Sequence, residues 1–318
     1  MQLPDSIRIT EVGPRDGLQN EGTIVATGDK VRFVELLSAC GVMEIEVSSF
    51  VRADSIPQLA DAGEVFATMN RARGIVYSAL VPNERGLEAA VAARVQKVAI
   101  FTAASESFSR RNINATIAES LQRFQPVVRR AKEVHLPVRA YISCAVQCPY
   151  EGPTPPQRVR DLAARLLDLG SDEIDLGETI GVAAPTDIDR LYDGLADLLL
   201  PASTTLHLHD TRGGALACAY RAMQLGVRSF DASCGGLGGC PFAPGAAGNL
   251  ATDDLVYLCE RMGIDTGINL DALHRAGAHI AAALGRPSSS RTFNAELSRR
   301  TRAASSSGNE CSGFDERV

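Results

Sequence analysis

Eight short β-type runs, each separated from the next by a stretch of helical period, set the tightest limit on what this chain can fold into. They read IRITEV (7–12), EIEVSS (44–49), IVYSALV (75–81), KVAIFTA (97–103), VRAYIS (138–143), EIDLGE (173–178), TLHLHD (205–210) and SFDASC (229–234). Each has an ordinary strand length, and most are rich in β-branched residues. Between them, PPQRVRDLAARLLDLG puts Val159, Leu162, Ala163 and Leu166 on one helical face, with Gly170 placed to end the helix. NERGLEAAVAA and TRGGALACAYRAMQLG show the same period. Strand and helix alternating about eight times, at a pitch of roughly 30 residues, predict an α/β chain folded as a single-domain (β/α)8 TIM barrel. GNLATDDLVYLCERMG and LDALHRAGAHIAAALG then supply extra C-terminal helices, which carries the barrel domain over residues 1–285. A doubly wound open sheet is the alternative; no GxGxxG follows the first run, which weakens its dinucleotide-binding form. From residue 286 the text turns to Ser, Arg and Asn, so residues 286–318 are expected to form a polar, mobile tail.

Charge and composition narrow the partners. A net charge of −6 without a basic stripe argues against nucleic acid. No apolar run approaches the roughly 18–20 residues of a membrane span. MQLPDSIRITEVG lacks the regions of a signal peptide, so a cytoplasmic location is expected. The eight cysteines are scattered through a large domain, and reduced thiols are the default. The pair in CAVQC is spaced too widely for a redox or zinc CxxC.

Two of the five histidines stand one residue apart in TLHLHD. Side chains alternate across a strand, so His207 and His209 share a side, at the end of the seventh strand where barrel active sites form. Two neutral imidazoles there make a metal edge, against the plainer reading of hydrogen-bonded rim histidines. Three other stretches favour the metal. Arg15 and Asp16 follow a Gly-Pro turn where the first strand leaves the barrel mouth. Glu46, on the same side as Glu44, is a carboxylate inside an apolar strand and needs a partner, for which Arg15 is the candidate. CGGLGGCPFAPGAAGN (234–249) surrounds one thiol with glycines and reads as a mobile loop over the mouth, without the Gly-Lys-Ser/Thr ending of a phosphate loop.

Taken together, GPRDGLQNE, IEVSSFV, NIN, CPYEG, TIGV, HDT, GLGGCPFAPGAAGNLATDDLVY and GIDTGINLD resemble the 3-hydroxy-3-methylglutaryl-CoA lyase family over roughly residues 7–286. The Gly-Leu-Gly-Gly-Cys-Pro loop is the most specific element and separates the lyases from condensing synthases on the same barrel. The resemblance implies a divalent-metal site of Asp16, His207, His209 and Asn249, and that donor set suits Mg²⁺ or Mn²⁺ better than a closed zinc site. It implies catalytic work for Arg15, Asp16, Glu46 and Cys240: Asp16 as the favoured base at the substrate hydroxyl, Arg15 steadying an enolate, Glu46 holding Arg15, and Cys240 returning a proton. A small-molecule acyl-CoA substrate follows, with no further cofactor, and so does a homodimer. Arg15, Asn112, Asp175 and Glu178 are implied at the substrate.

Asp175 and Glu178 stand where Ser and Asp are usual in the family, Arg212 and Gly214 where Tyr or Phe and Gln are usual, Cys234-Gly235 where Val-Ala is usual, and Gly22 replaces a basic residue. These departures leave open a related substrate such as citramalyl-CoA or a longer branched 3-hydroxyglutaryl-CoA. They also leave open a condensing synthase, a metal-dependent hydrolase barrel, and a Cys234–Cys240 redox pair.

Overall fold

The computed structural model of the chain describes residues 3–240 and 243–309, with side chains described over 3–238 and 248–302. Eight strands carry the barrel: β1 (Arg8–Glu11), β2 (Glu44–Ser49), β3 (Val76–Leu80), β4 (Lys97–Ala103), β5 (Val138–Ser143), β6 (Glu173–Glu178), β7 (Thr204–Leu208) and β8 (Ser229–Ala232). They close in the order β1-β8-β7-β6-β5-β4-β3-β2, every pair parallel. Thr10 of β1 sits beside Asp231 on one flank and Glu44 on the other, so the first and last strands complete the ring. This is the expected (β/α)8 architecture.

Helices α1 (Thr27–Ser38), α2 (Ala62–Thr68), α3 (Glu84–Ala92), α4 (Glu106–Ile113), α5 (Ile117–Glu133), α6 (Pro156–Asp168), α7 (Pro185–Leu195) and α8 (Ala215–Leu225) fill the crossovers, and α9 (Thr252–Met262) follows β8. Their form follows from spacing. On α6 the buried residues are Val159, Leu162, Ala163 and Leu166, one stripe against the barrel, and Gly170 at φ 103° lets the chain turn away. Helix α10 (Leu270–Leu284) packs on α1. Among the described residues no helix is long and apolar enough to cross a membrane.

The outer faces of the strands are apolar, but the barrel interior is largely charged. Alternation sends Glu44, Lys97, Arg139, Glu173, Asp175 and Asp231 inward, all buried or nearly so. Buried charges persist only when paired, and Lys97 and Arg139 are the cations that pair with Glu44, Glu173 and Asp231. Lys97 bonds Glu44 at 3.1 Å and also Glu173. Arg139, 1% exposed, donates to Asp231 at 2.8 Å, Thr10 at 2.9 Å and Glu173 at 2.9 Å.

The segment from 286, expected as a polar tail, is described as far as residue 309, and residues 310–318 of that expectation lie outside the described residues. It runs into helix α11 (Arg291–Asn309), and the first residues of the segment are docked. Asp254 on α9 accepts Ser290 Oγ at 2.7 Å and the backbone N–H groups of Arg291 and Thr292, satisfying donors that a helix start otherwise leaves open. Phe293 is 7% exposed and meets the His274 ring edge-on at 5.6 Å. A polar composition concealed these contacts, because serine hydroxyls and one ring do the packing.

Candidate functional site

The mouth is built from β1 outward. After Val12, the backbone N–H groups of Arg15, Asp16 and Gly17 all reach the Val12 carbonyl, at 3.1, 2.8 and 3.1 Å. This wide turn throws Arg15 and Asp16 over the barrel axis. A side chain at Gly17 would meet Leu237 Cβ and Ser233 Oγ, each at 2.8 Å, so the turn lies flush on the β8 loop only because the residue is glycine. Glu11 ties the same two loops together. Its Oε1 accepts the N–H groups of Gly13 and Cys234, each at 2.8 Å, and its Oε2 meets the Thr252 hydroxyl at 2.7 Å. Burial, countered by those bonds, pushes the Glu11 carboxyl up from its ordinary 4.5 to about 8.

Arg15 bonds through Nε to Glu46 and through Nη1 to Asp16. Burial opposes its charge, but Glu46 and Asp16 raise its pKa above the ordinary value. Tyr141 donates to the second Glu46 oxygen at 3.0 Å, and its ring lies 5.4 Å beneath the Arg15 guanidinium. The cation is thus fixed on three sides and aimed at the cleft.

Beside it, Asp16, His207 and His209 offer ligand atoms that all lie within 4.8 Å of one another. His209 Nδ1 donates to the Glu178 carbonyl at 2.7 Å, and His207 Nδ1 meets Asp231 Oδ2 at 3.2 Å, which leaves Nε2 of each ring as the nitrogen open to a ligand. Burial and the neighbouring His207 lower the His209 pKa to about 4, so that ring is neutral at physiological pH. Burial raises the Asp16 carboxyl, but Arg15 and both histidines overcome it and hold the group well below the carboxylate range. Asn249 Nδ2 donates to Asp16 Oδ2 at 3.0 Å and to the Leu237 carbonyl at 3.2 Å, while its Oδ1 is buried without a partner among the described residues. An orphaned amide oxygen beside one carboxylate and two imidazole nitrogens is a mixed oxygen and nitrogen donor set, and it fits a hard divalent cation.

The site opens into a cleft of about 1160 Å³. Arg15, Asp16, His207, His209, Tyr141, Leu80, Phe101 and Asn112 line it, with Arg52, Arg111 and Arg123 among its other cationic residues. Two residues expected at the substrate do not line it. Asp175 is 0% exposed, one layer lower, 3.5 Å from Arg139; Gly177 is the β6 residue that reaches the cleft from the same side. Burial and the adjacent Asp231 push the Asp175 carboxyl well above its ordinary range. Glu178 has the opposite parity on β6, and its carboxylate accepts the N–H groups of Gly181 and Val182 at 2.8 and 3.1 Å, closing its own loop. Arg212 donates to the Ile180 carbonyl of that turn at 2.8 Å.

Cys240 lies in a two-stranded ribbon of Gly239–Cys240 and Ala243–Ala247, and its side chain is outside the described residues, as is any pairing with Cys234. Cys234 itself is buried beside the Leu273 carbonyl. Sequence reasoning passed over Tyr141 and Asp231. The available signal was the one used for Glu46, a polar group on the inward parity of an apolar strand.

A closed parallel barrel with a fixed cation and a candidate metal-ligand cluster at its C-terminal mouth defines the chain as a β/α-barrel enzyme. A family model described as HMGL-like matches residues 6–280, and the chain belongs to that family. It is 44% identical to the cytoplasmic 3-hydroxy-3-methylglutaryl-CoA lyase of Rattus norvegicus, over 94% of this chain and 87% of the rat protein. It is 46% identical to the 3-hydroxy-3-isohexenylglutaryl-CoA/hydroxy-methylglutaryl-CoA lyase of Pseudomonas aeruginosa, over 94% of this chain and all of that one. The crystal structure of hydroxymethylglutaryl-CoA lyase from Pseudomonas aeruginosa superposes with a TM-score of 0.92 at 45% identity, covering 94% of this chain and 100% of that one.

Proposed function

We propose that this chain is a divalent-metal-dependent carbon–carbon lyase that cleaves 3-hydroxy-3-methylglutaryl-CoA to acetyl-CoA and acetoacetate. The observation that carries the reading is the fixed Arg15–Glu46 pair standing directly beside the Asp16, His207, His209 and Asn249 donor set. Those four residues would hold Mg²⁺ or Mn²⁺, which supplies Lewis-acid stabilisation of negative charge on the C3 oxygen. The C3 hydroxyl gives its proton to the cluster of Asp16 and the two histidines. The C2–C3 bond then breaks, C3 becomes the ketone of acetoacetate, and the electron pair stays with the thioester as an enolate.

Arg15 faces that developing charge as a preorganised cation, with Glu46 and Tyr141 preventing its rotation. Cys240, on the ribbon beyond β8, gives the enolate carbon its proton, completing acetyl-CoA. Arg52, Arg111 and Arg123 provide cations for the phosphates of coenzyme A. A cytoplasmic homodimer is the assembly proposed.

Product formation from methylglutaryl-CoA and citramalyl-CoA, each with Mg²⁺, Mn²⁺ and chelator, tests the reading. Chelator-sensitive acetyl-CoA release from the first, lost in Cys240→Ala, supports it. Cleavage of citramalyl-CoA alone moves the substrate and keeps the chemistry; cleavage of neither refutes both.

A further inference from the structure

The QNE stretch after the Arg-Asp turn carries no role in the chemistry above, yet Glu21 is placed on a connected path to the metal donors. Its carboxylate accepts the Gly238 N–H at 3.3 Å and is gripped by Arg286, through Nε at 2.9 Å and through Nη2. The peptide that Glu21 holds at its N–H is the one whose carbonyl, on Leu237, accepts Asn249 Nδ2 at 3.2 Å. One peptide plane is therefore fastened at both ends, by Glu21 on one side and the Asn249 amide on the other. The side-chain amide of Asn249 has two orientations, and only one gives Nδ2 to Leu237 and Asp16 while freeing Oδ1. Gly238 is required for the contact: at φ 107° it occupies a region other residues avoid, and a Cβ there would come within 2.9 Å of Asn249 Nδ2.

Arg286 is itself anchored. Beyond Pro287, Ser288 Oγ donates to the Gly235 carbonyl at 2.8 Å, and the backbone N–H groups of Ser289 and Ser290 point to the same carbonyl at 3.0 and 3.3 Å. The RPSSSR segment thus forms a strap across the root of the glycine-rich loop.

We propose that Glu21 and Arg286 are positioning residues for the metal site, acting through the Leu237–Gly238 peptide to present Asn249 Oδ1 alongside Asp16, His207 and His209. The inference rests on Asn249 being a ligand, as read above. Groups that orient metal ligands in this way typically change affinity by about 10–100-fold when removed.

The test is direct Mn²⁺ titration of the metal-free protein, following the free-ion electron paramagnetic signal, with circular dichroism to confirm folding. Glu21→Ala and Arg286→Ala are each expected to weaken Mn²⁺ binding about 10-fold. The double variant should be no weaker than either single one, and Arg286→Lys should recover most of the loss. Asn249→Ala should weaken binding, and adding Glu21→Ala to it should change nothing further. Should the alanine variants fail to fold, Glu21→Gln, which keeps the size of the side chain but removes the charge that Arg286 grips, carries the test by weakening Mn²⁺ binding. Unchanged affinity in Glu21→Ala with weakened affinity in Asn249→Ala overturns the clamp alone. Unchanged affinity in Asn249→Ala overturns the ligand reading and the clamp with it. A further loss from Glu21→Ala in the Asn249→Ala background overturns the path through that amide.

Discussion

Replacing Glu11 by Gln should make the chain more stable as the pH rises toward neutrality. Burial is the dominant influence on this carboxyl and lifts its pKa from 4.5 to about 8. Below pH 4.5 the group is protonated in both folded and unfolded chains. Above it the unfolded chain releases the proton while the folded chain retains it, so folding takes up a proton and stability falls as the pH climbs to about 8. At about 1.4 kcal/mol per pH unit, the whole interval amounts to about 5 kcal/mol. An unfolding entropy of about 2.1 cal/mol/K per residue over 318 residues turns this into about 7 °C of Tm.

Gln keeps the geometry. Its carbonyl oxygen replaces Oε1 toward the N–H groups of Gly13 and Cys234, and its amide nitrogen replaces Oε2 beside the Thr252 hydroxyl, which turns to accept. Thermal unfolding of both proteins at pH 5, 6, 7 and 8 gives the answer. The Tm difference should widen in favour of Glu11→Gln by about 2 °C per pH unit. Comparing the two proteins removes the contribution of Asp253, which burial also raises, to about 6. A Tm difference independent of pH would refute the reasoning, because Glu11 would then be ionised in the folded chain.

Glu46→Gln removes the charge opposite Arg15 while keeping an acceptor, and should lower kcat by about 100-fold, measured as acetyl-CoA release, with Mn²⁺ affinity little changed. Arg139→Met leaves Asp231 without its arginine and Glu44 and Glu173 with Lys97 but no longer Arg139, and should destabilise the fold by about 3–5 kcal/mol, read by thermal or urea unfolding. Phe293→Ala empties the contact against His274 and Gly277 and should cost about 3 kcal/mol; no loss would mean the start of α11 is not docked in solution.

The strands were legible because period two and period three to four are written directly in the residues. Expected runs 44–49, 97–103, 138–143 and 173–178 coincide with β2, β4, β5 and β6. The seventh run ends two residues early, since His209 leaves the parallel ladder for an antiparallel bridge to Asn249, a partner that no local pattern announces. Parity also explains the misplacement on β6. Asp175 and Glu178 are three apart and so cannot share a face, and height along the barrel decides that Gly177 reaches the cleft. The pairing of Arg15 with Glu46 followed from burial alone, because a carboxylate in an apolar strand needs a cation. The strap stayed hidden because its contacts run through serine hydroxyls and backbone, which leave no hydrophobic pattern.

The strap also sets a clock on synthesis. Asp16 meets Asn249 across 233 residues and Glu21 meets Arg286 across 265. A ribosome adding roughly 5–20 residues per second delivers Arg286 roughly 15–50 s after Glu21. Through that interval β1 waits with one edge unpaired, since its neighbour β8 is also made late. The nascent chain therefore carries an adhesive strand and no finished metal site for most of its making, and both conditions end almost together when the last segment folds across the mouth.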